Sequence, residues 1–407
     1  MNPLYKVYCR AFQFCFHVAL PFLPYREPKI LKDMTHVAKL LTEKEIKSVL
    51  IVTDKGIVNA GLLDNLLEAL KKKQIQYIIF QETVANPTIL NVENAKRYYE
   101  TNHCQAIIGF GGGSSMDCAK VTAARIAKPR QQVSQMKGLL KICKKLPLLI
   151  AVPTTAGTGS ETTLAAVITD SKTHHKYPIN DFSLIPPYAV LDYQVTTGLP
   201  KHLTSTTGMD ALTHAVEAYI GGSTSGHTRK MAEEAVTLIY QYLKRAYDNG
   251  NDAEAREKML RASYCAGIAF TQSYVGYVHG IAHSLGGQYG TPHGLANAVI
   301  LPHMLRRYDS ACYKRLGTLA RKSGIAERTA TNEAAAKTFI KWIDDMNRSM
   351  EIPKYLDCIK EADIPSMAKK AAHESNPLYP VPVLYDSKEL ETMYYIISGK
   401  QPIQPQD

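Results

Sequence analysis

Long apolar runs are missing from the 407-residue chain. No stretch of about 18 uncharged apolar residues occurs, so no spanning helix is expected. Glycine, at 25 of 407 positions, is too scarce for a collagen-like repeat, and no sustained heptad marks a coiled coil. The eight cysteines (Cys9, Cys15, Cys104, Cys118, Cys143, Cys265, Cys312 and Cys358) include no Cys-x-x-Cys pair. Disulfide frameworks belong to short secreted chains, so these read as reduced thiols of a cytoplasmic protein. Acidic residues are in deficit: 48 Lys plus Arg against 37 Asp plus Glu leave a net charge of +11. The densest basic stretch, Lys120 to Lys145, contains neither an acid nor an interleaved aromatic residue. With no nucleic-acid motif beside it, it reads as a solvated basic face and not as a nucleic-acid surface.

What is present is globular: 45% apolar and 21% charged residues, long enough for two or three domains. The run from Ala11 to Leu23 comes nearest to a signal peptide. His17 interrupts it, Pro21 and Pro24 break it, and no small-x-small cleavage site follows. It reads as an amphipathic segment packed on the body, a membrane-surface role being the alternative.

Short β-rich runs at 49–53, 76–80, 106–110 and 148–152 alternate with helical patterns at 61–72, 91–99 and 115–124. Such alternation implies parallel strands with helical crossovers. Beyond Pro200 the helical period dominates, at 208–219, 230–247, 253–270, 315–322 and 332–347. The expected architecture is an N-terminal extension (1–27), an α/β dinucleotide-binding domain with a parallel sheet (28–200) and an all-helical metal-binding domain (201–407).

Gly109 to Asp117, Gly-Phe-Gly-Gly-Gly-Ser-Ser-Met-Asp, overlaps a strand end and a helix start. Such a loop brings backbone close to a pyrophosphate and offers the unpaired N–H groups of a helix N-terminus; its alternative is a tight turn. Pro153 to Glu161 forms a second hydroxyl-rich loop after another strand. Two such loops suit the ligand crevice of an open α/β sheet. Asp54, ending the first of these strands, would bond a ribose hydroxyl and repel a 2′-phosphate, or else cap a turn.

Asp210 and His214 stand four apart, as do His279 and His283, and His293 follows. Together they offer up to five ligand groups to a divalent ion such as Zn²⁺ or Fe²⁺, and spacing alone favours His279 with His283 as a chelating pair. Each is also readable as a hydrogen-bonded core residue, as His36, His227, His303 and His373 are read.

Four segments taken in order resemble the iron-containing alcohol dehydrogenases: Gly-Gly-Gly-Ser-Ser-Met-Asp at 111–117, Pro-Thr-Thr-Ala-Gly-Thr-Gly-Ser-Glu at 153–161, Thr207 to Tyr219 around Asp210 and His214, and Val278 to His303 around the later histidines. The likeness runs from about 28 to 400. It implies metal ligands Asp210, His214, His279 and His293, with His283 beside the metal and not on it. It implies cofactor contacts at Asp54, Asn86, Gly112, Gly113, Ser114, Thr154, Thr155, Thr163, Lys176 and Tyr193, and NAD over NADP from the acid at Asp54. The implied reaction interconverts a small primary alcohol or diol and its aldehyde with NAD and Fe²⁺ (Zn²⁺ as alternative), in a homodimer or larger assembly, with no nucleic-acid or membrane partner. His283 is a candidate proton relay. Phe270, Tyr274, Tyr277 and Tyr289 line a small apolar pocket or belong to the core. A dehydroquinate-synthase-like cyclase is the alternative, but it needs a Lys and Arg cluster where the metal segments here carry Ala, Leu, Gly and Tyr.

Overall fold

The computed structural model describes residues 1–170 and 175–400. Its contacts divide into two units: Pro24–Gly198, and Met1–Leu23 together with Leu199–Asp407.

In the Pro24–Gly198 unit, strands β1 (Lys29–Leu31), β2 (Ser48–Val52), β3 (Gln76–Phe80), β4 (Ala106–Gly111), β5 (Gly138–Leu139), β6 (Leu148–Pro153), β7 (Ala165–Asp170), β8 (His175–Asn180) and β9 (Tyr188–Val190) form two sheets. Six of them build a sheet of order β1-β9-β6-β4-β2-β3, parallel throughout. The other three, β5-β8-β7, form a small mixed sheet. The four sequence-expected strands are present to within one residue, and the three-residue β1 and β9 join them. Helix α1 (Pro3–Ala19) precedes this unit; α2 (Met34–Glu43), α3 (Lys55–Asn59), α4 (Asp64–Lys72), α5 (Ile89–Thr101) and α6 (Gly113–Ala127) lie within it. Alternate residues of each strand point to opposite faces, so both faces must be covered. Val49, Ile51 and Ile108 pack with Leu41 of α2 and Leu66 of α4. Leu50, Val52 and Ile107 pack with Val92 of α5 and Val121 of α6.

Strand order reverses at β2 and β4, and the loops leaving these neighbouring strands meet in the crevice where open α/β sheets bind ligands. Gly111, at φ +144°, makes the turn there; a Cβ on it would lie 2.6 Å from Ser115 Oγ.

One expectation fails inside α6. Lys120 and Arg125 belong to no solvated face: they are 0% and 7% exposed. The Lys120 ammonium donates to Thr163 O, Thr163 Oγ1 and Ala165 O at 2.8–3.0 Å. Arg125 forms a two-pronged pair with Glu93. The apolar packing of α6 overrode the polarity of both residues, and these hydrogen-bond partners satisfy them.

No strand is found after Val190 among the described residues. The second unit is built from α7 (Lys201–Ile220), α8 (Gly226–Asp248), α9 (Ala253–Ser273), α10 (Tyr277–Tyr289), α11 (His293–Tyr308), α12 (Ser310–Lys322), α13 (Asn332–Ser349), α14 (Ile364–Ser375) and α15 (Ser387–Ser398). Every residue of α7 from Gly208 to Ile220 is buried, which marks it as the central helix. Helix α1 starts at Pro3, eight residues before the apolar run that drew attention in the sequence; Pro3 sits at its first position and Asn2 caps it. Gln13 donates to Tyr379 O at 2.7 Å, and Arg10 to Val381 O at 2.7 Å. No helix among the described residues is long and apolar enough to cross a membrane.

Candidate functional site

Three helices of the second unit bring four side chains together. Asp210 and His214 lie one turn apart on α7, His279 sits in the first turn of α10, and His293 opens α11. One ligand atom from each lies within 4.8 Å of all the others. The start of α11 presses so closely on α7 that a Cβ on Gly294 would stand 2.4 Å from Thr206 O. Asp210, His214 and His279 are buried, while His293 is partly open.

The cluster is electrostatically short of positive charge. The Asn297 amide nitrogen donates to Asp210 Oδ1 at 2.7 Å and lies 3.2 Å from His279 Nε2 and 3.1 Å from His293 Nε2. An amide nitrogen has two hydrogens, so three acceptors exceed what it can serve. Burial, then the neighbouring His214, His293 and His283, hold the His279 imidazole well below its ordinary pKa and therefore neutral. Neutral imidazoles and a carboxylate form a donor set for a divalent transition metal. The residues present fit such an ion.

Glu217, one further turn along α7, was not singled out from the sequence. Its Oε2 lies 2.6 Å from His279 Nδ1, and its carboxylate accepts from Gly276 N at 2.8 Å and Val278 N at 2.9 Å. A proton on Nδ1 leaves the Nε2 lone pair facing Asp210 and His293, as in carboxylate–histidine–metal triads. Burial pushes the Glu217 carboxyl up to about 7 against the pull of those backbone donors. The available signal was its spacing: 210, 214 and 217 share one helix face.

His283 lies outside the group of four, so the spacing-only pair is corrected. Its ring stands 6.0 Å from that of His279 and stacks on His293 at 5.1 Å. Its Nδ1 is hydrogen-bonded to Glu374 of α14, which also accepts from Tyr379 Oη at 2.7 Å. Burial alone would raise the Glu374 carboxyl; His283 and Tyr379 outweigh it and hold it below the usual range. The four aromatics separate. Phe270 stacks on His214 at 4.0 Å, whereas Tyr277 is core, its hydroxyl in hydrogen-bond contact with Asn376 Oδ1 and Tyr385 O. Tyr289 bonds Asp363, and Tyr274 packs edge-on against Phe16.

In the first unit, a cavity of about 590 Å³ is lined by Asp54 to Gly56, Gln81 to Ala85 and Gly112 to Ser115. It brings Asp54, Gly112, Gly113 and Ser114 together. Asp54 caps α3 by accepting from Ile57 N at 3.1 Å, and its other oxygen accepts from Ser115 Oγ at 3.3 Å. Helix α6 starts in the cavity wall, and its first N–H groups suit a phosphate. Thr154 N donates to Gly111 O, and the buried Thr155 Oγ1 beside Gly112 has no hydrogen-bond partner among the described residues. These features fit a dinucleotide. Asn86 accepts from Lys176 Nζ at 3.0 Å, joining two expected contacts. The Thr163 hydroxyl accepts from Lys120 Nζ, and Tyr193 opens a short 3₁₀ turn after β9; neither lines the cavity.

Beneath α6 lies a second group of buried charges that sequence reasoning missed. Asp117 accepts from Ser160 Oγ at 2.7 Å and Val167 N at 2.9 Å. Glu161 is 1% exposed with no partner for either oxygen among the described residues, and burial pushes its carboxyl up to about 7. Burial brings the Lys120 ammonium down to about 8, with Asp117 and Glu161 opposing.

Residues 31–193 match the family model for iron-containing alcohol dehydrogenase, and residues 204–395 match the C-terminal model of the Fe-containing alcohol dehydrogenase family. The 1,3-propanediol dehydrogenase of Citrobacter freundii is 36% identical over 365 residues, covering 89% of this chain and 93% of that protein. The NAD-dependent methanol dehydrogenase of Bacillus methanolicus is 36% identical over 337 residues, 81% of this chain and 88% of its own. An alcohol dehydrogenase structure from Oenococcus oeni superposes with a TM-score of 0.87 at 32% identity, covering 92% of this chain and 100% of that one. Two units with these sites, matched by family models over residues 31–193 and 204–395, mean that the chain belongs to the iron-containing alcohol dehydrogenase family.

Proposed function

We propose that the protein interconverts a small primary alcohol or diol and its aldehyde, with NAD as redox partner and a divalent metal, Fe²⁺ before Zn²⁺, held by Asp210, His214, His279 and His293. The observation that carries this reading is the convergence of those four donors within 4.8 Å, with His279 backed by Glu217. When bound, the cation supplies Lewis acidity toward the substrate oxygen and NAD supplies or accepts the hydride.

The chain's own residues do the rest. Glu217 fixes the tautomer and orientation of His279. His283, half-exposed and tied to Glu374, moves a proton between the substrate hydroxyl and water. Phe270 covers the His214 ring and keeps water from that side. In the other unit, Gly112, Gly113 and Ser114 with the α6 N-terminus hold the pyrophosphate, and Thr154 and Thr155 close the adjacent wall. Asp54 bonds the adenosine ribose. Asn86 and Lys176 act as a pair, while Thr163 and Tyr193 support the cofactor from outside the cavity. The cyclase alternative is not favoured, since the relatives are alcohol dehydrogenases. None of the eight cysteines forms a disulfide, which supports a cytoplasmic setting. We take the working form to be a homodimer or larger assembly.

The test is a panel of short alcohols and diols with NAD, read as NADH absorbance, on protein of measured metal content. Turnover that tracks one metal equivalent supports the reading. Turnover independent of metal overturns it.

A further inference from the structure

The cavity of the Pro24–Gly198 unit carries a second acid that neither the sequence pattern nor the family resemblance singled out. Glu82 stands just beyond the end of β3, as Asp54 stands just beyond the end of β2, and both line the cavity. The two residues face each other in an isolated antiparallel bridge. Residues directly opposite in such a bridge project their side chains to one face, with Cβ atoms about 5 Å apart. The Glu82 carbonyl accepts from Asn91 Nδ2 at 2.8 Å, which ties this stretch of backbone to α5.

The two carboxylates differ in what they already hold. A carboxylate offers about four acceptor sites. Asp54 has spent one on each oxygen, toward Ile57 N at 3.1 Å and Ser115 Oγ at 3.3 Å. The Glu82 side chain is exposed and makes no hydrogen bond or ion pair among the described residues. Like charges set opposite each other in a bridge oppose folding, so the pair is not explained by stability. Among the described residues lining the cavity, Lys55 is the only cation. Asp54 and Glu82 outnumber it and leave the wall net negative.

We infer that Glu82 is a further specificity residue of this cavity: its free carboxylate accepts from the adenosine ribose hydroxyls and, beside Asp54, repels a 2′-phosphate. The inference rests on the reading of the cavity as the NAD site. A ribose brings two adjacent hydroxyl donors, more than the half-committed Asp54 is placed to serve alone. A 2′-phosphate brings about −1.5 to −2 of charge and no donor in its ionised form. The same wall therefore rewards the hydroxyl and penalises the phosphate. Removing the Glu82 charge leaves Asp54 and Lys55 in balance. Removing both acid charges leaves Lys55 alone, a wall that favours the phosphate.

Direct binding tests this without turnover. The full chain is titrated with NADH and with NADPH, read by nicotinamide fluorescence. Glu82→Gln keeps the size of an exposed side chain and removes its charge, so the circular-dichroism melt should not move. The ratio of the NADPH to the NADH dissociation constant should fall ~10-fold or more. The wild-type ratio should also narrow as salt is raised, and that of Glu82→Gln should narrow less. Glu82→Gln combined with Asp54→Asn should bring NADPH to parity with NADH or past it. A wild type that prefers NADH, with the same ratio in Glu82→Gln, overturns the inference and leaves the NAD reading standing. A wild type that binds NADH and NADPH alike also overturns it. A wild type that binds neither overturns the reading of the cavity, and the inference with it.

Discussion

Glu217 and His279 are buried together, Oε2 of one 2.6 Å from Nδ1 of the other, with two backbone N–H groups also directed at the carboxylate. This contact aims His279 at the other three donors. Glu217→Gln keeps the shape and loses the negative charge. Metal affinity should fall about 10- to 100-fold, measured by chelator competition, with the fold intact. Glu217→Ala also leaves the Gly276 and Val278 N–H groups without their acceptor, so it should cost a further ~1–3 kcal/mol of stability.

His283 stacks on His293 and is bonded to Glu374. If it carries the proton to water, His283→Ala lowers turnover by about 10²-fold and alters the pH–rate profile, while the metal is retained. Full turnover with an unaltered profile would remove His283 from the reaction.

Asp54 caps α3 and also lines the cofactor cavity. Asparagine caps a helix as well as aspartate does but carries no charge. Asp54→Asn should therefore leave thermal stability within about 0.5 kcal/mol and lower the NAD-over-NADP preference in kcat/KM by ~10-fold or more. A preference that stays the same places the discrimination elsewhere.

Glu161 predicts a pH effect on stability. Its folded pKa of about 7 lies above the ordinary value of 4.5, so between these pH values the folded state binds more protons than the unfolded chain. Stability contributed by the protonated carboxyl is present below about 4.5 and is lost as pH rises through about 7. Glu161→Gln cannot ionise. Thermal melts from pH 5 to 8 should show a shallower decline for the variant, which gains ~1–3 kcal/mol over wild type at pH 8. Parallel curves would refute the buried-carboxylate account.

The central strands were readable in sequence because each is a short, largely apolar run carrying β-branched residues, as at Val49 to Val52. Strands β1 and β9 were not, since three residues cannot display a period and their pairing comes from the sheet. Asp210, His214, His279 and His293 were visible as residues, but spacing alone joined His279 to His283. Which histidines converge depends on how α10 and α11 pack on α7, and no local pattern encodes that. Glu374 lies 91 residues from His283, beyond any local signal. Lys120 misled because a lysine in a basic stretch reads as solvated; only tertiary contacts with Thr163 and Ala165 bury it.

The most direct test of the metal centre is elemental analysis of the purified wild type beside His279→Ala and Asp210→Asn, with alcohol-dependent NADH formation measured on the same samples. The wild type should carry about one equivalent of iron or zinc and reduce NAD, and both variants should lose metal and turnover together. Metal retained in the variants at wild-type stoichiometry, or turnover persisting after the metal is gone, would contradict the assignment of these four side chains.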